Sequence, residues 1–160
     1  MSGNPNYVVA TVGWLEIASP SLNAVPGRVE LVLELRSDSE GVLGTFTESL
    51  ISDIQQQFQE SGISLTSEML SRGTPTACSP EVMSIAESAA EACGTRYRVL
   101  PSGAGHDAVY ASRLAPMGMV FIPCLNGRSH CPEESITPTD LANGTSVLAE
   151  TLVRLDKAMP

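Results

Sequence analysis

Between Arg28 and Glu60 the apolar residues change their period once, and that change limits the fold more than any other feature. In "RVELVLELR", residues 28–36, Val29, Leu31, Leu33 and Leu35 fall on one side. Arg28, Glu30, Val32, Glu34 and Arg36 fall on the other. This two-residue period describes a strand with one buried face. After "SDSE" at 37–40, Val42, Phe46, Leu50, Ile54 and Phe58 recur at every fourth residue. That spacing predicts an amphipathic helix over 40–61, opened by the Ser and Asp of the cap and closed by Gly62. A half-buried strand running straight into a one-sided helix needs an α+β layer.

The flanking segments extend the pattern. "YVVATVGWLEIA", 7–18, reads as a strand, and "SPSLNAVPG", 19–27, as the loop after it. "ISLTSEMLSR", 63–72, alternates as a further strand. The first domain is therefore expected over residues 1–72 as β-β-α-β. "GTPTACSP", 73–80, breaks the composition and marks the boundary. Ser79 and Pro80 then open a helix that runs to about Cys93 and stops at Gly94. "YRVLP", 97–101, reads as a short strand, and "SGAGHDA", 102–108, as a turn into a helix reaching Leu114. "GMVFIPC", 118–124, is a continuous apolar run, as expected of a strand buried on both faces. Thr137 or Thr139 caps a last helix to about Lys157, with Leu141, Val147, Leu148, Thr151, Leu152 and Leu155 as its inner face. Residues 73–160 thus read as α-β-α-β-α, and the whole chain as α/β.

The 160 residues suffice for two small domains, and the hydrophobic share of 42% is enough to bury a core. The net charge of −9 argues against nucleic acid or an anionic membrane as partner, since both need basic patches. No stretch reaches the about 20 apolar residues of a membrane span. The N-terminus lacks the basic-then-apolar order of a secretory leader. Cys78, Cys93, Cys124 and Cys131 form no CxxC pair and read as reduced thiols in a cytoplasmic protein.

Three groupings could carry chemistry. Both histidines of the chain sit in glycine-bearing loops that follow expected strands, where α/β sheets collect ligands. In the first loop, Gly103 and Gly105 would let the backbone approach a ligand ahead of His106 and Asp107. A plain turn before a helix fits the same residues. In the second, "NGRSHCPEE", His130 could ligate a metal, with Glu133 or Glu134 orienting its other ring nitrogen. A surface histidine beside a helix cap is the alternative. A Cys124–His130–Cys131 metal site is a further one, although adjacent residues rarely reach one ion. Finally, Arg36 could fork onto a carboxylate beside Asn23, or Arg36 could end a strand and Asn23 make a turn. No GxSxG nucleophile elbow is present.

Taken together, "TVGWLEIASPSLNAVPGRVELVLELRS", "LPSGAGHDAVYASRLAPMGMVFIPCLNGRSHCPEE" and the capped last helix resemble the C-terminal part of the hydantoinase/carbamoylase group of metal-dependent amidohydrolases. That group includes N-carbamoyl-L-amino-acid hydrolase, allantoate amidohydrolase and β-ureidopropionase. It lies within the zinc aminoacylase/carboxypeptidase-like superfamily. The resemblance spans about Ala10 to Leu155. It implies a partial lid, or dimerisation, domain followed by the C-terminal part of an α/β zinc-peptidase-like catalytic domain. It implies that His130 is a metal ligand and that Asn23 and Arg36 hold the substrate carboxylate. Gly127 and Ser129 would line the pocket, and Gly105, His106 and Asp107 would form an active-site loop. Glu134 matches the glutamate after the ligand histidine.

The complete family enzyme uses two divalent metal ions, zinc or manganese. This chain offers too few ligands to hold the pair and carries no assigned catalytic residue. The expected function is thus that of a C-terminal fragment or split half. The whole enzyme would hydrolyse C–N bonds of N-carbamoyl-L-amino acids or allantoate-like ureido compounds, with metal-activated water. Expected partners are such a carboxylate-bearing small molecule and either a second copy or a complementary N-terminal chain. The alternative is a non-catalytic association module working through an unpaired strand edge.

Overall fold

The computed structural model of the chain describes residues 7–158. The outer ends of the two expected domains, residues 1–6 and 159–160, lie outside the described residues. So does most of the segment in which no leader is read. The fold is mixed α/β, with a small sheet and four helices among the described residues. Residue contacts divide it into two units. One runs through Pro75 and includes Leu100–Ala104; the other comprises Thr76–Val99 and Gly105 onward.

In the first unit β1 (Val9–Ile17) and β2 (Val29–Arg36) pair antiparallel. Val12 faces Leu33 and Trp14 faces Val32, so Gly13 is an extra residue on β1. This bulge resets the side-chain parity. Ala10, Val12, Leu15 and Ile17 then stand on the face of Leu35, Leu33, Leu31 and Val29. Val9, Thr11, Trp14 and Glu16 share the other face with Arg36, Glu34, Val32 and Glu30. Helix α1 (Glu40–Glu60) follows and contacts β2. Ser39 caps it by accepting from the Val42 N–H at 3.4 Å. Gly62, at φ 71°, ends it with Ile63 N–H donating to the Phe58 carbonyl. Leu33 and Leu35 are half-buried, but Leu15 and Leu31 are 54% and 52% exposed. Phe46, expected on the inner stripe of α1, is exposed as well.

The second unit is organised by α2 (Pro80–Ala92) against α4 (Pro138–Ala158). Ser79 caps α2. Gly94, at φ 66°, follows its end. Thr137 Oγ1 accepts from the Asp140 N–H at 3.1 Å and donates back to its carboxylate, fixing the start of α4. Val82, Ala89 and Ala90 of α2 are buried with Val147 and Thr151 of α4 and Met117. Burial of each valine contributes roughly 1.5–3 kcal/mol. The Thr151 hydroxyl satisfies itself on the Val147 carbonyl at 2.7 Å.

The expected inner face of α4 holds at Val147 and Thr151, which are buried, and is corrected at three of its leucines. Gly144, Val147 and Thr151 lie inward, whereas Leu141, Leu148 and Leu152 are exposed. The helix carries two apolar stripes, and the one with less bulk lets α4 approach its neighbours. A Cβ on Gly144 would meet Ile122 Cγ2 at 2.1 Å, and one on Gly118 would meet Val82 Cγ1 at 2.7 Å.

Three expected strands do not form. Residues 63–72, 97–101 and 118–124 join no sheet among the described residues. A strand needs a partner ladder as well as β propensity, and these segments have none. The run 118–124, expected to be buried on both faces, leaves Phe121 56% exposed. The helix expected to reach Leu114 is the single turn α3 (Ala108–Ala111). Asp107 gives it no side-chain cap, and Pro116 disfavours helical backbone at Ala115.

Candidate active site

Arg36 ends β2, with Glu34 two positions earlier on the same face. The Arg36 Nη2 donates to Glu34 Oε2 at 2.7 Å. Its Nη1 donates to the Gly103 carbonyl at 2.5 Å. The hydrogen bond it donates to Glu34 holds the guanidinium above its usual range, against a smaller opposing effect of burial. Gly103 is closely approached, since a Cβ there would lie 3.0 Å from the Tyr7 hydroxyl. Asn23, on the loop between the strands, is exposed and accepts from Ser21 Oγ at 2.8 Å. It makes no hydrogen bond to Arg36.

The loop from Ser102 is held by its own side chains. Ser102 Oγ accepts from the Ala104 N–H and donates to the Ala104 carbonyl. His106 Nδ1 accepts from the Ala108 N–H at 3.0 Å. Gly105, His106 and Asp107 are all exposed.

The second loop turns on backbone that is rare for side-chain-bearing residues. Asn126 (φ 55°), Gly127 (φ 65°) and His130 (φ 59°) are left-handed. Leu125 N–H donates to the Ser135 carbonyl at 2.8 Å and closes the loop. Glu134 Oε2 accepts from the His130 N–H at 2.8 Å. Its carboxylate therefore fixes the main chain of His130 rather than the ring. Gly127, Ser129 and His130 are exposed.

The structure brings Arg36 to the Gly103 carbonyl rather than to Asn23, and Glu134 to the His130 main chain rather than to its ring. Glu34, Tyr7 and the Gly103 carbonyl were missed by the sequence reading. Glu34 looked only like part of a polar strand face. The chemistry of the donors does not by itself make a metal centre. Among the described residues no group of three or more His, Cys, Asp and Glu could hold an ion. Cys124, His130 and Cys131 do not form one either. All four cysteines are free thiols. No helix among the described residues is long and apolar enough to cross a membrane.

Comparison with known proteins identifies the class. Residues 3–154 match the model of peptidase family M20/M25/M40. The N-carbamoyl-L-amino acid amidohydrolase of Geobacillus stearothermophilus is 36% identical over 147 residues, covering 92% of this chain and 36% of that protein. The allantoate amidohydrolase of Escherichia coli is 34% identical over 153 residues, covering 96% and 37%. A solved structure, an amidase of the hydantoinase/carbamoylase family from Burkholderia multivorans, superposes with a TM-score of 0.87. It is 32% identical, with 92% of this chain and 36% of that chain covered.

The chain therefore belongs to peptidase family M20/M25/M40. Within that family its similar proteins are amidohydrolases of the hydantoinase/carbamoylase group, as the motifs suggested. It spans about a third of the length of the curated relatives it matches.

Proposed function

We propose that this chain is the lid-bearing, C-terminal part of a metal-dependent amidohydrolase that cleaves C–N bonds of N-carbamoyl-L-amino acids or allantoate-like ureido compounds. The observation that carries the reading is the extent of the family match. It runs across the arginine-bearing hairpin and both histidine loops. Residues 1–72 serve as the partial lid and 73–160 as part of the catalytic domain. Arg36 and Asn23 take the substrate carboxylate by charge-assisted hydrogen bonds. Gly127 and Ser129 line the pocket, and Glu134 steadies the loop that presents His130. Gly105, His106 and Asp107 form an active-site loop, steadied by the hydrogen bond from the Ala108 N–H to His106 Nδ1. In the complete enzyme a zinc or manganese pair would, when bound, supply Lewis-acid activation of water. His130 is this chain's one contribution to that centre, and the other ligands and the base come from a complementary N-terminal portion.

The test is complementation. The purified chain alone is expected to release no ammonia from N-carbamoyl amino acids or allantoate with added zinc or manganese. Together with the N-terminal portion of a carbamoylase relative, turnover is expected to appear and to fall at least about a hundredfold with Arg36→Gln, whose fork positions the substrate. Turnover by the chain alone would overturn the reading. A second reading, a non-catalytic association module, is favoured by the exposed Leu15, Leu31 and Trp14 on the hairpin. It requires zero turnover and no bound zinc in every pairing.

A further inference from the structure

The Arg36 guanidinium is not waiting empty for a substrate. One of its nitrogens already holds a carboxylate of the protein, Glu34, at 2.7 Å. The other holds the carbonyl of Gly103, 67 residues away in the sequence. The geometry points to Glu34 as a specificity-determining residue: a resident carboxylate that occupies Arg36 until the carboxylate of a ligand replaces it. The inference rests on the reading of Arg36 as the carboxylate anchor.

Three observations support exchange rather than a permanent pair. Both side chains are accessible, Arg36 at 43% and Glu34 at 55% exposed, so water can solvate the carboxylate that leaves. The strand fixes both residues on one face, which keeps the displaced Glu34 close enough to return. No other charged side chain is in salt-bridge contact with Arg36 among the described residues. Arg28 and Glu30, on the same face, pair with each other. An incoming carboxylate that did not displace Glu34 would sit against a like charge, which is unfavourable at such a distance.

Gly103 gives the exchange a consequence. Its carbonyl is tied to the same guanidinium, and its loop leads to His106 and Asp107. Replacement of Glu34 by a ligand carboxylate therefore happens on the group that also holds the Gly103 carbonyl. Glu34 sets the affinity threshold for that event, favouring ligands whose carboxylate can form the complete two-oxygen fork.

N-carbamoylglycine is the probe, titrated into the whole 160-residue chain. Nuclear magnetic resonance would follow the Arg36 Nε–H and the Ala104 amide, next in sequence to Gly103. Removing an exposed competing carboxylate is expected to tighten binding by about two- to fivefold in Glu34→Gln. Glu34→Asp, whose carboxylate is one methylene shorter, is expected to fall between. Arg36→Gln is expected to abolish binding. Unchanged or weaker binding by Glu34→Gln, with Arg36→Gln still defective, would overturn the role of Glu34 and leave the anchor intact. Binding by Arg36→Gln equal to the unaltered chain would overturn the anchor itself. No binding by either the unaltered chain or Glu34→Gln would also overturn the proposal, since freeing Arg36 would then create no site.

Discussion

Replacing Gly144 with alanine should destabilise the chain, against the ordinary rule for helices. In the interior of an exposed helix the exchange is favourable by about 1 kcal/mol, because alanine costs less backbone entropy. Gly144 lies in α4, well past its cap, and the new Cβ would fall 2.1 Å from Ile122 Cγ2. That is more than an ångström inside ordinary van der Waals contact. The obstructing methyl sits on the β-carbon of a β-branched residue and has little rotamer freedom to escape. Overpacking of this kind costs about 1–3 kcal/mol. The net expectation is a loss of up to about 2 kcal/mol, read as a lower urea midpoint with an unchanged slope. Ile122→Leu keeps the volume but removes the Cγ2 methyl. In that background Gly144→Ala should be neutral or stabilising by up to about 1 kcal/mol. A raised midpoint for Gly144→Ala alone would show that α4 does not press on residues 118–124 as described.

Two further substitutions probe the loops and the surface. Glu134→Ala removes the acceptor that holds the His130 N–H and should speed hydrogen exchange of that amide while costing about 0.5–1.5 kcal/mol, whereas Glu134→Gln should retain most of the protection. Unaltered exchange in Glu134→Ala would refute that role. Tyr97 donates to Glu91 at 3.2 Å and Glu87 at 3.4 Å, and partial desolvation, then Glu91, raises its pKa above 10.0. A raised value favours the protonated phenol in the fold. Its contribution is therefore complete below pH 10.0 and disappears as pH rises through the higher value. The ultraviolet difference titration against Tyr97→Phe should show this, and Glu87→Gln with Glu91→Gln should bring the transition back down.

What could be read from the sequence was what local contacts decide. Ser39, Ser79 and Thr137 cap helices through hydrogen bonds to residues three positions on. Gly62 and Gly94 terminate them because a left-handed residue is needed there. The segments 63–72, 97–101 and 118–124 have strand composition, yet a ladder depends on distant partners that composition does not name. The inner face of α4 was legible in part: Val147 and Thr151 are buried as expected, whereas three leucines of the expected face are exposed. Leucine bulk marked Leu141, Leu148 and Leu152, while the contact with α2 is built where the side chains are small. In the candidate site the glycine loops and their histidines were visible as local motifs. The tether from Arg36 to Gly103 was not, because no periodicity links residues so far apart in sequence.

The extra residue at Gly13 makes the hairpin unequal in its tolerance of length changes. Deleting Gly13 would leave Val12 opposite Leu33 and Trp14 opposite Val32, removing the bulge without changing the register. Deleting a paired residue such as Leu15 would instead carry Glu16 to the leucine-rich side and Ile17 away from it. The same deletion within the exposed loop over 19–27 leaves both strands in phase. Lineages of this chain should therefore gain and lose residues freely between the strands, and inside the first one only at position 13.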